Sequence, residues 1–131
     1  MTISKASILV VDDDDLIRDV VCLMLSTLGY ATIAAQDGIE ALVCMKNNDS
    51  IHLVLTDINI PQMDGWELAR HIKALKPEVP IVAFTGDSPD VILPRLPDSE
   101  INQALFKPLR IEVLRGEIST ILPSEGIKYA S

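Results

Sequence analysis

The chain has 131 residues, which fits a single domain of ordinary size. Its formal net charge is −8, and 48% of its residues are hydrophobic. The hydrophobic content argues against intrinsic disorder. The negative charge disfavours direct nucleic-acid binding and attachment to anionic membranes, because both require a basic surface. No apolar run approaches the roughly 20 residues that a membrane-spanning helix needs.

The two cysteines, Cys22 and Cys44, do not form the pattern of a disulfide framework. Residues 1–5 lack the apolar core of a signal peptide, and the apolar run at residues 8–11 is too short to supply one. We therefore expect a cytoplasmic protein with reduced cysteines.

Five short apolar runs, several of them rich in β-branched residues, predict buried strands. They cover residues 8–11, 31–35, 53–56, 81–84 and 104–106. Most segments between and after these runs have apolar residues at helical spacing. The alternation of strands and helices predicts an α/β domain with a parallel sheet and helices on both faces.

The predicted helices differ in how clearly the sequence defines them. Residues 16–28 form a strong helical pattern, and Gly29 is a natural stop just beyond it. The second helix opens at Asp37 and Gly38 and is predicted to turn three side chains inward: Ile39, Leu42 and Val43. The third starts near Asp64 and the last covers residues 109–122.

The segment at residues 88–101 is expected to hold a short or irregular fourth helix. It contains Pro89, Pro94 and Pro97. A proline inside a helix costs about 3 kcal/mol, so a long regular helix is disfavoured. Pro89 is compatible with the first helical turn, whereas the other two prolines predict a break.

Polar side chains follow four of the predicted strands. Asp12 and Asp13 follow the first strand, Asp57 the third, Thr85 the fourth and Lys107 the fifth. The carboxyl ends of parallel strands meet at one edge of a sheet, so these residues are expected to converge in one cleft. Three carboxylates in a small site need a cation, and oxygen ligands favour a hard ion such as Mg²⁺. Asp13 and Asp57 are the expected direct ligands, with Asp12 acting through water.

This set of groups predicts phosphoryl transfer. A bound divalent cation would let an anionic phosphoryl donor approach, and Asp57 could attack phosphorus as a carboxylate nucleophile. Catalysis of such a transfer is mainly positioning and charge neutralisation. The metal, the Lys107 ammonium and the Thr85 hydroxyl would each take one phosphoryl oxygen.

Four motifs, ILVVDDDD, LVLTDINIPQMDG, AFTGD and FKP, resemble the receiver domain of two-component response regulators, the chemotaxis-regulator-like fold. The match in order and spacing covers Ser7 to Leu122. The resemblance implies a flavodoxin-like, doubly wound, five-stranded sheet in the order 2-1-3-4-5, with five helices. It implies a receiver domain over residues 1–122 followed by a C-terminal tail at 123–131. It leaves open whether the receiver stands alone or is part of a hybrid histidine kinase.

The resemblance also implies a role for each site residue. Asp57 falls at the phosphoacceptor, Thr85 at the switch hydroxyl and Lys107 at the active-site lysine. Asp12 and Asp13 fall at the acidic metal pair. The third metal ligand falls on the backbone carbonyl of Asn59, and the bond before Pro108 is expected to be cis.

The function implied is a signalling receiver rather than an enzyme, catalysing only its own phosphorylation and dephosphorylation. The phosphoryl group would come from phosphohistidine on a histidine kinase or a histidine phosphotransfer protein. Phosphorylation would then switch the binding of a downstream protein that the sequence does not name. In this family the first helix docks the phosphodonor, and Arg18, Cys22 and Ser26 lie along one flank of that helix. They are therefore candidate partner contacts. Dimer formation through the fifth strand and last helix is left open.

The sequence departs from the family at the aromatic switch position. Ala104 stands three residues before Lys107, where the family has Tyr or Phe, and Phe106 lies on the same side of the strand. This departure keeps open an adaptor that binds partners without phosphorylation. A phosphatase of the haloacid dehalogenase type is a second alternative, because Asp12 and Asp14 match its Asp-x-Asp motif. Its lysine should precede the late acidic motif, whereas Lys107 follows it. A flavodoxin is disfavoured, since the four consecutive aspartates Asp12–Asp15 would repel a flavin phosphate.

Overall fold

A computed structural model of the chain describes residues 6–122. The strands are β1 Ser7–Val11, β2 Ala31–Ala35, β3 Ile51–Thr56, β4 Ile81–Thr85 and β5 Gln103–Phe106. The α-helices are α1 Asp15–Thr27, α2 Gly38–Asn47, α3 Gly65–Leu75, α4 Pro89–Ile92 and α5 Ile111–Ile121. A 3₁₀ helix at Leu93–Asp98 follows α4. The predicted tail at residues 123–131 lies outside the described residues. None of the helices described has the length and apolar character needed to cross a bilayer.

All five strands are parallel and lie in the order β2-β1-β3-β4-β5. This confirms the predicted flavodoxin-like sheet. The strand order reverses between β1 and β3, and the crevice at such a switch point is where open α/β sheets place their ligands. The two strands that end in aspartates are therefore neighbours in the middle of the sheet.

Alternating side chains of each strand supply two core layers. In β1, Ile8 and Val10 face one layer while Leu9 and Val11 face the other. The first layer is closed by α1 and α5, through side chains such as Leu25 and Leu114. The second is closed by α2, α3 and α4, through residues that include Met45, Leu68, Ile72 and Ile92. Burial of both faces explains why the central strands are continuous apolar runs.

The inward face predicted for α2 is wrong for two of its three residues. Ile39 and Val43 are 55% and 51% exposed, whereas Leu42 is partly buried and packs against the core as predicted. Ala41 and Met45, one helical turn apart, face the core instead. Apolar residues occur nearly all round this helix, so helical spacing alone does not define one face.

The fourth helix is short and irregular, as predicted. Ser88 caps α4 through a hydrogen bond that its hydroxyl accepts from Asp90 N, and Pro89 occupies the first turn. After four residues the α-helix gives way to the 3₁₀ helix, which contains Pro94 and Pro97. Proline lacks the N–H that a continuing α-helix would need, which explains the change.

Candidate functional site

Three aspartates converge at the carboxyl edge of the sheet. Asp12 and Asp13 follow β1 and Asp57 follows β3, and one carboxylate oxygen from each lies within 4.8 Å of the others. Asp12 is fully buried and Asp57 is 6% exposed, whereas Asp13 faces solvent. The structure thus brings together the carboxylates that the sequence placed at separate strand ends.

Lys107 reaches from the end of β5 into this acidic cluster. Its Nζ donates to Asp57 Oδ2 at 2.9 Å and to Asp12 Oδ2 at 3.1 Å. Burial alone lowers the pKa of Lys107, but hydrogen bonds and charge from Asp57 and Asp12 outweigh burial and raise that pKa above its ordinary value. The Lys107–Pro108 peptide bond is cis, as expected. Lys107 therefore bridges two buried carboxylates that favour its charged form.

The Asp12 carboxylate is held on both oxygens. Oδ1 accepts from Asp14 N at 2.8 Å, and Oδ2 accepts from Lys107. Burial raises the pKa of Asp12 above its ordinary value, against the opposing effects of the Asp14 N–H and of Lys107. Both carboxylate oxygens of Asp12 therefore have hydrogen-bond donors within the protein.

The loop after β3 is packed tightly behind Asp57. Asp57 N donates to Val11 O at 2.9 Å, and Asp57 Oδ1 accepts from Asn59 N at 3.2 Å. Gly65 N donates to Ile58 O at 2.7 Å. A Cβ on Gly65 would lie 2.6 Å from Asp57 O and 2.8 Å from Ile58 Cα, both backbone atoms. Glycine at this position therefore lets α3 begin directly against the peptide of Asp57.

Thr85 lies buried at the end of β4. Its Oγ1 accepts from Asp87 N at 3.0 Å. The Asp87 carboxylate in turn accepts from Asn59 Nδ2 at 3.1 Å. This connection between the β3–α3 and β4–α4 loops, through Asn59 and Asp87, was not predicted, because it depends on how two loops face each other.

The helix α1 starts within the acidic run Asp12–Asp15, so that Asp12 and Asp13 precede the helix while Asp14 and Asp15 lie at its start. Asp14 caps the helix, its Oδ1 accepting from Leu16 N and Ile17 N. Arg18, a predicted partner contact, turns its guanidinium inward, and its Nη1 donates to Asp12 O at 2.7 Å. Arg18 also forms an ion pair with Asp15, three residues earlier in the sequence.

The residues of this cluster fit a hard divalent cation. Carboxylate oxygens are the donors that Mg²⁺ prefers. Asp12 and Asp57 each accept from Lys107 and from one backbone N–H, whereas the exposed Asp13 carboxylate accepts no hydrogen bond within the described residues. The Asn59 carbonyl remains a predicted ligand, since its loop borders the cluster. Three carboxylates with a single lysine also leave net negative charge for a cation to neutralise.

An apolar groove of about 440 Å³ lies beside the cluster. It runs between α1 and the segment that follows β5, and Lys107 contributes to its wall. The lining residues from α1 are Leu16, Ile17, Val20, Val21 and Met24. Leu16 is 73% exposed, and Leu23 on the same helix is 68% exposed. The partner contacts predicted from the sequence, Arg18, Cys22 and Ser26, lie on the polar flank of α1. The prediction did not include the apolar residues that line this groove.

The fold agrees with comparisons to known proteins. Residues 8–119 match the family model of the response regulator receiver domain. The chain is 36% identical over 108 residues to the sensor histidine kinase RcsC of Salmonella typhimurium. The aligned region covers 82% of this chain and 11% of RcsC. The present chain therefore spans about a tenth of the length of that relative.

Two solved structures have the same architecture. The chemotaxis protein CheY4 of Vibrio cholerae superposes with a TM-score of 0.81 at 28% identity, covering 91% of this chain and all of CheY4. The receiver domain of the sensor histidine kinase PA1611 of Pseudomonas aeruginosa superposes with a TM-score of 0.82 at 26% identity, covering 91% and 98% of the two chains. That structure has a magnesium ion coordinated in its active-site cleft. From its sequence and its fold, the present chain belongs to the response regulator receiver domain family of two-component signalling.

Proposed function

We propose that Asp57 is the phosphoacceptor of this receiver domain. The observation that carries the proposal is the convergence of Asp12, Asp13 and Asp57, with the Lys107 ammonium donating to Asp12 and Asp57. In the proposed step, an oxygen of Asp57 forms a bond to phosphorus while the bond from phosphorus to the donor breaks. The leaving group, a histidine nitrogen or an acetate oxygen, keeps the electron pair.

We assign Asp13, Asp57 and the Asn59 carbonyl as direct Mg²⁺ ligands and Asp12 as a ligand through water. When bound, Mg²⁺ would supply positive charge that offsets the repulsion between these acids and an incoming phosphoryl group. The ligand set is supported by the short separation of the three carboxylates. The magnesium reported in the cleft of the PA1611 receiver domain supports the choice of ion.

Lys107 and Thr85 have complementary parts in this proposal. Lys107 already donates to Asp57 Oδ2, so its ammonium is positioned to donate to an oxygen of the phosphoryl group on Asp57. The Thr85 hydroxyl, now accepting from Asp87 N, keeps its own proton for donation to another phosphoryl oxygen. Moving Thr85 toward the phosphoryl group would displace the Asp87 N–H, and this would pass the change to the β4–α4 loop.

We further propose that the groove beside α1 docks the phosphodonor. Lys107 lines this groove and also contacts Asp57, so a helix seated there would present a phosphohistidine to the site. A histidine kinase or a histidine phosphotransfer protein is the donor class that the family uses. The downstream partner and the formation of dimers stay open predictions.

The phosphoacceptor assignment is tested by intact-mass measurement after incubation with acetyl phosphate and Mg²⁺. A single phosphate adduct is expected on the wild type and on Asp64→Asn, since Asp64 caps α3 in the same loop and asparagine also caps helices. No adduct is expected on Asp57→Asn. An unlabelled wild type, or an Asp57→Asn variant labelled as well as the wild type, would contradict the assignment.

The docking proposal needs a separate test with a phosphorylated histidine phosphotransfer domain that labels the wild type. Leu16→Glu is expected to slow transfer from that domain at least tenfold while leaving labelling by acetyl phosphate unchanged. Ile39→Glu, at a comparably exposed position on α2, is the matched control. Equal losses in both variants, or no loss in either, would refute docking at this groove.

The phosphatase alternative is disfavoured by the position of Asp14. That interpretation requires Asp14 as a general acid in the site, but its carboxylate caps α1. Turnover of a generic phosphate ester would revive it. An adaptor without phosphorylation would be favoured if the wild type bound partners yet never acquired the phosphate adduct.

A further inference from the structure

The side chain of Arg18 reaches into the acidic cluster from α1. Nη1 donates to the backbone oxygen of Asp12 at 2.7 Å, and Nη2 donates to Asp15 Oδ1 at 2.6 Å. Only 15% of the Arg18 side chain is exposed, whereas the Asp15 side chain is 83% exposed. The guanidinium is therefore directed mainly at the backbone of the site, with a surface carboxylate holding its outer edge.

The Asp12 carbonyl lies where β1 leaves the sheet. The preceding carbonyl, that of Val11, accepts from Asp57 N, and Asp12 N donates to Ala35 O. The backbone hydrogen bonds between β1 and its neighbouring strands stop at this point. Within residues 6–122, Arg18 is the hydrogen-bond donor to Asp12 O. A backbone carbonyl in a buried setting needs a partner, and here a side chain from the next helix provides it.

This carbonyl belongs to the peptide unit that joins Asp12 to Asp13. Because a peptide unit is planar, fixing its oxygen also fixes the N–H and the Cα of Asp13. The Asp12 carboxylate has its own donors, Asp14 N and Lys107 Nζ. Asp13 is exposed, and within the described range no hydrogen bond holds its carboxylate. The direction of the Asp13 side chain therefore depends on its backbone.

We propose that Arg18 is a positioning residue for the metal site, acting through the Asp12–Asp13 peptide on the Asp13 carboxylate. This inference rests on the proposed role of Asp13 as a Mg²⁺ ligand. Charge by itself gives the opposite expectation, because removing a positive group from an acidic cluster strengthens the binding of a cation. Positioning and charge thus predict opposite signs for the same substitution.

The test is isothermal titration of Mg²⁺ into the metal-free chain and its variants. Arg18→Met is expected to weaken binding about tenfold, at the low end of what residues behind metal ligands contribute. Arg70→Met, which removes the same charge from an exposed position on α3, is expected to leave the affinity unchanged. Arg18→Met affinity equal to or tighter than that of the wild type would overturn the proposal, as would an equal loss in Arg70→Met.

A double-mutant cycle with Asp13→Asn separates positioning from general damage to the fold. If Arg18 acts through Asp13, adding Arg18→Met to Asp13→Asn should weaken Mg²⁺ binding less than twofold further. A full tenfold further loss would refute action through Asp13. If Arg18→Met does not fold, Arg18→Lys replaces it, because lysine keeps the charge but not the two-pronged donor. At least a twofold loss of affinity is then expected, and no loss would overturn the proposal.

The same titration distinguishes this inference from the assignment on which it rests. A wild-type chain that binds no Mg²⁺ would remove the metal site and the role of Arg18 together. A wild type that binds Mg²⁺, with Arg18→Met binding equally well, would remove the role of Arg18 alone.

Discussion

Gly65→Ala should destabilise the domain and displace the phosphoacceptor loop, although the change adds one methyl group. The new Cβ would lie 2.6 Å from Asp57 O and 2.8 Å from Ile58 Cα. Real Cβ atoms essentially never approach other atoms closer than 3.0 Å. Both atoms belong to the backbone, so the β3–α3 loop or the start of α3 must move by several tenths of an ångström.

The magnitude follows from two opposing effects. Forcing an extra carbon into a well-packed site costs about 1–3 kcal/mol. Alanine recovers part of this steric cost, because it is favoured over glycine inside a helix by at most about 1 kcal/mol. The recovery is small here, because Gly65 is only the first residue of α3. The net expectation is a loss of about 1–2 kcal/mol in the free energy of unfolding. For a chain of this size that corresponds to a fall in melting temperature of roughly 4–8 °C.

Gly116→Ala is the matched control for this prediction. Gly116 lies on the exposed side of α5, and an added Cβ there meets no atom within 4 Å. The same substitution should therefore raise stability by about 0.5–1 kcal/mol. Urea denaturation measures both variants, and labelling of Asp57 by acetyl phosphate should slow only in Gly65→Ala. Equal stability changes in the two variants, or unimpaired labelling of Gly65→Ala, would refute the steric argument.

Three further predictions address the charges and the backbone of the site. Mg²⁺ at a hundredfold excess over its Kd should stabilise the wild type by about 2.7 kcal/mol in thermal unfolding, and Asp13→Asn should lose most of this effect. Lys107→Ala should bind Mg²⁺ with an affinity within roughly threefold of that of the wild type, or higher, since the substitution removes a competing cation. The variant should lose the conformational change that is coupled to phosphorylation. Lost metal binding in Lys107→Ala, seen by calorimetry, would contradict this division of roles. Gln62→Gly should increase the free energy of unfolding by about 0.5–1 kcal/mol and so raise the urea midpoint, because Gln62 has a φ of 73°; an unchanged midpoint would argue against strain there.

The fold and the convergence of the acidic cluster were predictable because both follow from one-dimensional patterns. Alternating strands and helices predict a parallel sheet, and parallel strands place Asp12, Asp57 and Lys107 at one edge. No side-chain detail is needed for that conclusion. The prolines of residues 88–101 likewise predicted an irregular α4, since the missing N–H acts locally.

What the sequence did not predict depends on the direction in which single side chains point. In α2, apolar residues lie nearly all round the helix, and packing rather than pattern selected Ala41 and Met45 over Ile39 and Val43. Arg18 lies on a polar flank of its helix, yet its long side chain turns back to an unpaired carbonyl at the end of β1. The first choice follows from core packing and the second from which backbone carbonyl lacks a partner, and both are defined only in the folded chain.

The most direct test of the central claim is to locate the phosphoryl group on the chain. Borohydride reduces an aspartyl phosphate to homoserine, so treatment of the acetyl phosphate-labelled protein marks the modified residue for peptide sequencing by tandem mass spectrometry. The proposed site predicts homoserine at position 57 in the wild type and at no aspartate in Asp57→Asn. Homoserine at Asp12, the nucleophile of the phosphatase alternative, or at no position in the wild type, would contradict the account.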